Sequence, residues 1–340
     1  MDETFFQHLG ANEDTRPAEL KAKDFKFEET VSAPAPVVWT EKPPSEWKKY
    51  PIRNQDGSGT CVAQTMAKIV GALLAQKDTT APFHVLSATS IYKRRSNASE
   101  GMIGVEAFDI AKNYGLAPEA LLQSQNLNEV QVSQQLIVEY YKALEQAARI
   151  GGFVQFNVRD FDSVASTIQH TGKPVMVWFT FTYPEWTDVP TIISPTPNLR
   201  HSVTAVDVTL YQGKQAIIIE DSWGKFGLFD GQRVITREFY ETRNLFAAYS
   251  INLKAEAGVT PKPQSIPLIA MFGDKNSNVK DMQDFLKWDG TFPKNIESTG
   301  FFGAITARAV KAFMVKYGVV PSDPQGRLWD TKEFNQASNL

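Results

Sequence analysis

Near residue 150 the apolar residues change period, and that change limits the folds open to the chain. From Cys61 onward, Val62, Met66, Ile69, Val70 and Leu73 recur at helical spacing, so a buried helix opens at or beside Cys61. Further helices are predicted over Gly104 to Tyr114 and Glu129 to Arg149. From Phe153 the texture turns to short β-branched and aromatic runs. Phe153 to Val158, Val175 to Phe179, Ser202 to Leu210, Gln215 to Glu220 and Ala247 to Leu253 read as strands. A helix-rich half followed by a strand-rich half predicts an α+β domain with a cleft between two lobes.

The flanks divide the rest of the 340 residues. Residues 1–35 mix charges, run into the loop-like Ser32-Ala33-Pro34-Ala35-Pro36 at the domain boundary, and are too short for a compact domain; they read as an arm or short leader. The main domain is expected over 36–253 and a linker, with Pro261 and Pro263, over 254–271. Residues 272–340 carry amphipathic helices at Asn278 to Trp288 and Ile305 to Tyr317, and a shorter one near Asp330 to Ala337. Val279, Met282, Phe285, Leu286, Ala309, Val310 and Phe313 are the predicted core of this small all-α domain.

Composition removes several functions. A net charge of -3 offers no electrostatic case for nucleic acid. No apolar run approaches a membrane span, and the charged N-terminus lacks the apolar stretch of a secretory signal. The expectation is a soluble chain, cytoplasmic at synthesis, with any release to the cell wall or exterior by another route. With a single cysteine there is no internal disulfide, and with four histidines a cysteine-based zinc site is not expected. No metal or cofactor is called for. Cys61 is therefore either buried and inert or reactive.

A thiol attacks as thiolate, which a helix N-terminus favours through its unpaired N–H groups and positive dipole end. Cys61 stands at such a place, after the turn Asp56-Gly57-Ser58-Gly59. A histidine must then take the proton, and a carbonyl-bearing side chain must hold that histidine's ring. His201 opens a strand-like run, and Asp221 opens Asp221-Ser222-Trp223-Gly224.

In combination these residues carry a resemblance. Gln55-Asp56-Gly57-Ser58-Gly59-Thr60-Cys61 resembles the active-site stretch of the papain family. Val38-Trp39-Thr40 through Gln55 is similar to that family's mature N-terminus, Gly104 to Phe108 to its second lobe-forming helix, and Gly172-Lys173-Pro174-Val175 to a strand entry. His201-Ser202-Val203 and Asp221-Ser222-Trp223-Gly224 follow in the family's order. The resemblance covers about 36–253 and implies a two-lobed cysteine peptidase, one lobe helical and one β-barrel-like, acting on protein or peptide. It implies Cys61 as nucleophile, His201 as base and then acid, Asp221 as orienter, Gln55 in the oxyanion hole, and Trp223 shielding the His201 partner from water.

Departures accompany it. Asp221 stands where the family has asparagine, which should raise the histidine pKa. Val62 replaces an aromatic residue, and Ser58 a disulfide cysteine, so the lobes are expected to be held by packing alone. Arg200 adds a charge beside His201, Tyr183 to Leu199 reads as an insertion at the cleft rim, and the leader is shorter than the family's inhibitory propeptide.

Beyond the linker, Asn278 to Leu286 followed by Gly300 to Phe313 and Gly326 to Thr331 resembles the small three-helix peptidoglycan-binding-like domain, with Thr306 as a cap. That resemblance implies docking to cell-wall glycan or to protein. The expected function is a cysteine endopeptidase with a targeting module. A cell-wall peptide hydrolase, and a structural or attachment protein retaining a peptidase fold, are the alternatives.

Overall fold

The computed structural model describes residues 10–22, 24, 26–27, 35–138, 141–142, 145–187, 190–224, 230–254, 263, 266–293, 296–320 and 322–338. These fall into two compact units, one within 1–136 and 148–254, the other within 137–147 and 255–340. Most of the expected linker lies outside the described residues.

Besides single turns at Ala18–Lys21 and Thr89–Tyr92, the first unit has helices α1 (Cys61–Lys77), α2 (Gly104–Asn113), α3 (Glu129–Gln134), α4 (Phe161–Thr171), α5 (Tyr183–Thr187) and α6 (Arg237–Arg243). The strands are β1 (Ile150–Gln155), β2 (Val175–Phe181), β3 (Leu199–Tyr211), β4 (Lys214–Glu220), β5 (Gln232–Thr236) and β6 (Asn244–Leu253). They form one antiparallel sheet in the order β1-β6-β2-β3-β4-β5.

Alternation along β2 explains the layering. Met176 and Trp178 pack into the core that holds α1 and α2, while Val175, Val177, Phe179 and Phe181 enter a second core with α4 and α6. Helices thus cover both faces, which is why β2 reads as a continuous apolar run. The strand-rich half is an open sheet and not the barrel-like lobe expected. β1 and β5 are its two edges, and with both faces filled by helices no lumen remains for it to close around.

Every residue of α1 from Cys61 to Leu73 is buried, polar ones included, so this helix runs through the core. The helix expected over Glu129 to Arg149 is not continuous: α3 ends at Gln134, and Gln135 is extended. Only Val132 is buried there, while Val130 and Leu136 face solvent, so no apolar stripe carries the helix further. β5, α4 and α6 were missed by periodicity. Each is short and punctuated by charge: Asp160 caps α4 through the Ser163 N–H at 2.9 Å, and Thr236 caps α6.

The second unit contains α7 (Ser277–Asp289), α8 (Ala304–Tyr317) and α9 (Thr331–Ser338), with the short pair β7 (Ala270–Met271) and β8 (Leu328–Trp329). All seven predicted core residues are buried together, joined by Phe302, Met314 and Trp329. Asn276 caps α7 through the Val279 N–H, and Gly290 and Gly318 close α7 and α8 in the left-handed conformation. Thr306 is not a cap. The N-cap of α8 is Gly303, and the Thr306 hydroxyl instead accepts a hydrogen bond from Gln283 Nε2 at 2.8 Å, tying α8 to α7.

Candidate active site

The loop before α1 is shaped by close approach. Asp56 adopts a left-handed φ of 51°, held by its N–H donating to Asn54 Oδ1. Gly59 has Gly101 N and the Tyr92 hydroxyl 2.9 Å from where a Cβ would stand, so any side chain there must push backbone aside. Ser58 donates to the Gln55 carbonyl at 2.6 Å and meets Thr60 Oγ1 at 2.9 Å. The Gln55 amide is fixed at both ends: Nε2 donates to the Ser58 carbonyl at 2.7 Å, and Oε1 accepts from the Ser222 hydroxyl at 2.7 Å.

Cys61 is the first residue of α1, and the Thr60 side chain makes no capping hydrogen bond to that helix. The positive end of the helix dipole therefore lies at the thiol. One turn on, Thr65 Oγ1 donates to the Cys61 carbonyl at 2.9 Å and accepts from Ser202 Oγ at 3.1 Å. The helix start is thereby fixed to the residue beside His201.

His201 lies on β3 opposite Phe179 of β2, and is fully buried. Its Nε2 meets Asp221 Oδ1 at 2.7 Å. Nδ1 has no hydrogen-bond partner of ordinary geometry, yet the Cys61 side chain acts on the ring. Nδ1 is thus the ring nitrogen that Asp221 leaves unengaged. Burial alone would pull the imidazolium pKa down; the charge and hydrogen bond of Asp221, with a smaller contribution from Cys61, outweigh it and push the pKa up to about 9.

Asp221 follows β4 and accepts four hydrogen bonds. Oδ1 takes the His201 ring and the Ser222 N–H (2.6 Å), while Oδ2 takes Trp186 Nε1 (3.0 Å) and Arg233 Nε (3.2 Å). Burial would raise this carboxyl's pKa, but His201, Arg233 and Trp186 together hold it well below the usual carboxylate range.

Trp223 stacks on the His201 ring with centroids 4.2 Å apart, and Trp186 meets the same ring edge-on at 5.8 Å. Trp186 escaped the sequence reading. The segment Tyr183 to Leu199, read as a rim insertion, contains α5, and both Glu185 and Trp186 are fully buried. The signal was an adjacent Glu-Trp pair in what looked like a loop, since such residues are buried only when paired or packed. Glu185 is held by Arg243 and by the N–H groups of Thr182, Ile193 and Ser194. Burial raises its pKa, and these donors more than reverse that, to about 2.

Nor are the lobes held by packing alone. Lys68 of α1 pairs with Glu220 of β4 at 2.9 Å, both buried. Glu220 also accepts the N–H groups of Lys49 and Tyr50. Arg53 is buried among Gln64, the Leu86 carbonyl and Ser124.

The N-terminal arm reaches this region. Asn12 N–H donates to the Met102 carbonyl at 3.0 Å, Met102 N–H donates to the Gly10 carbonyl at 2.8 Å, and Ala11 is buried in the same core as Cys61. A Cβ on Gly10 would overlap the Gly59 carbonyl. Arg200, on the opposite face of β3 from His201, reaches Glu13 of the arm at 3.3 Å.

Among the described residues no group of three or more His, Cys, Asp or Glu is placed to hold a metal. No helix among them is long and apolar enough to cross a membrane.

No protein-family model matches the chain, and no curated protein sequence is significantly similar to it. Among solved structures it is similar to xylellain, a cysteine protease from Xylella fastidiosa, at 17% identity and a TM-score of 0.54, covering 72% of this chain and 96% of that one. It is also similar to digestive procathepsin L2 of Tenebrio molitor larval midgut, at 18% identity and a TM-score of 0.54, covering 74% and 81%. Digestive procathepsin L 3 of the same tissue matches at 18% identity and a TM-score of 0.52, covering 73% and 77%. At such identities the likeness speaks for the fold: with its open six-stranded antiparallel sheet and the buried helix α1 beside it, this chain has the α+β fold of papain-like cysteine proteases.

Proposed function

We propose that the chain is a cysteine endopeptidase working through a Cys61 thiolate and His201. The observation that carries this reading is the His201 ring, tied through Nε2 to Asp221 while Nδ1 remains for the thiol at the start of α1. His201 takes the Cys61 proton and Sγ attacks the scissile carbonyl carbon. The resulting oxyanion is received by the Cys61 N–H and the Gln55 amide. Collapse expels the amine, which takes its proton from His201, and leaves a thioester on Cys61. Water, deprotonated by His201, then releases the acid and restores the thiol. Trp223, stacked on the ring, keeps water from the His201–Asp221 hydrogen bond.

In this proposal the catalytic domain spans 36–253, the linker 254–271 and the C-terminal domain 272–340. We take the last as a peptidoglycan-binding-like docking module. Phe272 and Phe301 are exposed on it, and Leu268, Ile269 and Met271 are exposed at the end of the linker that leads into it, which suits contact with cell-wall material or protein. Docking raises the effective concentration of enzyme at its substrate and makes wall peptides a candidate substrate after release from the cell.

One observation favours the reading of a retained fold used for attachment: Cys61 has no exposed surface, and the arm lies against its loop. Labelling with an epoxysuccinyl inhibitor separates the two. The peptidase reading expects a covalent adduct on Cys61 that disappears in Cys61→Ser and falls sharply in His201→Ala. No adduct from mildly acidic to neutral pH, with or without the arm, supports the attachment reading. Digestion of purified cell walls against unfolded protein then identifies the substrate class.

A further inference from the structure

The aspartate at 221 brings a charge that a neutral orienting amide does not, and the fold answers it. β5 pairs with β4 so that Arg233 lies opposite Ile219. Asp221 is two residues beyond Ile219, on the same side of the strand, within diagonal reach of a long side chain. From there Arg233 donates Nε to Asp221 Oδ2 at 3.2 Å and Nη1 to the Trp186 carbonyl at 2.9 Å. Its guanidinium also lies over the Trp186 ring, 5.3 Å from the centroid, while Trp186 Nε1 donates to the same Asp221 oxygen. Both Arg233 and Asp221 are buried.

We propose that Arg233 is a positioning residue for His201: with Trp186 it locks the Asp221 carboxylate toward the imidazole and offsets its charge, so that the Asp221–Arg233 pair does the work of a neutral amide. The inference rests on the peptidase reading for its consequence in turnover, though not for its electrostatics. Donor geometry supports it. Oδ2 faces two N–H donors, so an asparagine at 221 must set its own NH2 against them or, flipped, against His201 and the Ser222 N–H. The pocket is built for a carboxylate.

The groups that face His201 are Cys61 from α1 and Asp221 beyond β4, with Arg233 of β5 held against Asp221; Arg200, the neighbour of His201 on β3, lies on the opposite face. Arg200 is matched by Glu13. Deeper pairs are also matched: Lys68 with Glu220 between α1 and β4, and Glu185 with Arg243 between α5 and α6. With Arg233 in place Asp221 is matched as well. Without it, Asp221 would hold His201 as imidazolium more firmly, and the ring would return its proton less readily to a leaving amine.

The test is the imidazole titration of His201, followed by NMR on the full chain, in a cycle of Arg233→Met, Asp221→Asn and the double variant. Removing the Arg233 charge is expected to move the midpoint up by roughly one unit. Asp221→Asn leaves Arg233 unopposed and moves it down, and the double variant lies between the two. The proposal is overturned if Arg233→Met leaves the midpoint in place, or if the double variant titrates like Asp221→Asn alone. Arg233→Lys keeps charge without the planar fork; it should hold the midpoint near wild type while kcat falls with little change in KM. Should Arg233→Met not fold alone, comparing Asp221→Asn with Asp221→Asn/Arg233→Met, in which no buried carboxylate is orphaned, still decides, because equal midpoints in the presence and absence of the cation sink the idea. The titration reads the ring whether or not the protein turns over substrate. Failure of labelling at Cys61 would count against the peptidase reading and leave this result standing.

Discussion

The two units bury different things. The first carries charge into its core: Lys68 with Glu220, Glu185 with Arg243, and His201, Asp221 and Arg233 around two tryptophans. The second is held by Val279, Met282, Phe285, Leu286, Phe313 and Trp329, with polar ties between helices from Gln283 to Thr306 and from the half-exposed Lys316 and Tyr317 to Asp289. A core of buried ion pairs is costly to desolvate and gains little stability over an apolar one, so its retention points to chemistry or to exact placement of elements. An apolar three-helix core points to a scaffold whose function lies on its surface.

The contrast can be broken first at the thiol. Cys61→Ala should lower peptide hydrolysis by at least about a thousandfold, as loss of a triad member does elsewhere, while its thermal unfolding changes little. Hydrolysis persisting within tenfold would remove Cys61 from the mechanism. Next comes the price of an orphaned charge. Glu220→Gln strands Lys68 in the core and should cost about 3–5 kcal/mol in denaturant unfolding, whereas Lys68→Met/Glu220→Leu should recover much of that loss. In the second unit Phe285→Ala should cost a similar ~3–5 kcal/mol through the cavity alone, with no such rescue by a partner. Equal behaviour of the two sites would erase the distinction.

Acidity separates the units further. The folded His201 pKa is about 9 against an ordinary 6.5, so its contribution to stability is full below about 6.5 and lost as pH rises through about 9. Asp221, held below the ordinary 3.8, contributes above that value and loses its contribution as pH falls through its folded pKa. The stability of the first unit should therefore fall as pH rises between about 6.5 and 9. The second unit has no histidine and should not respond in that window. A smaller effect is expected at the arm: Gly10→Val must displace it from Gly59, so the rate of Cys61 labelling should rise severalfold if the arm limits access. An unchanged rate would mean that the arm is no barrier. Smallest is Thr306→Val, which removes the tie to Gln283 and should cost about 1 kcal/mol.

How much of this was legible beforehand varies with the kind of signal. Helix α1 and the three C-terminal helices follow from apolar periodicity, because a stripe at helical spacing must be buried whatever it packs against. The single cysteine, the glycine turn before it and the order of His201 and Asp221 pointed to one site from local motifs. Glu129 to Arg149 misled for the converse reason: Val132 is buried, but Val130 and Leu136 stayed exposed, so no continuous apolar stripe formed.

What the sequence by itself determined is the α+β class, the small helical unit and the candidate residues Gln55, Cys61, His201, Asp221 and Trp223, since each rests on local pattern or order along the chain. The tertiary structure alone decided that the sheet stays open, that Ser58 is hydrogen-bonded to the Gln55 carbonyl, and that Trp186 and Arg233 enclose Asp221. Those depend on contacts across 35 and 12 residues and on strand register. A long-range donor finds its acceptor only after the sheet has formed, and nothing in the spacing of residues along the chain records which one it will be.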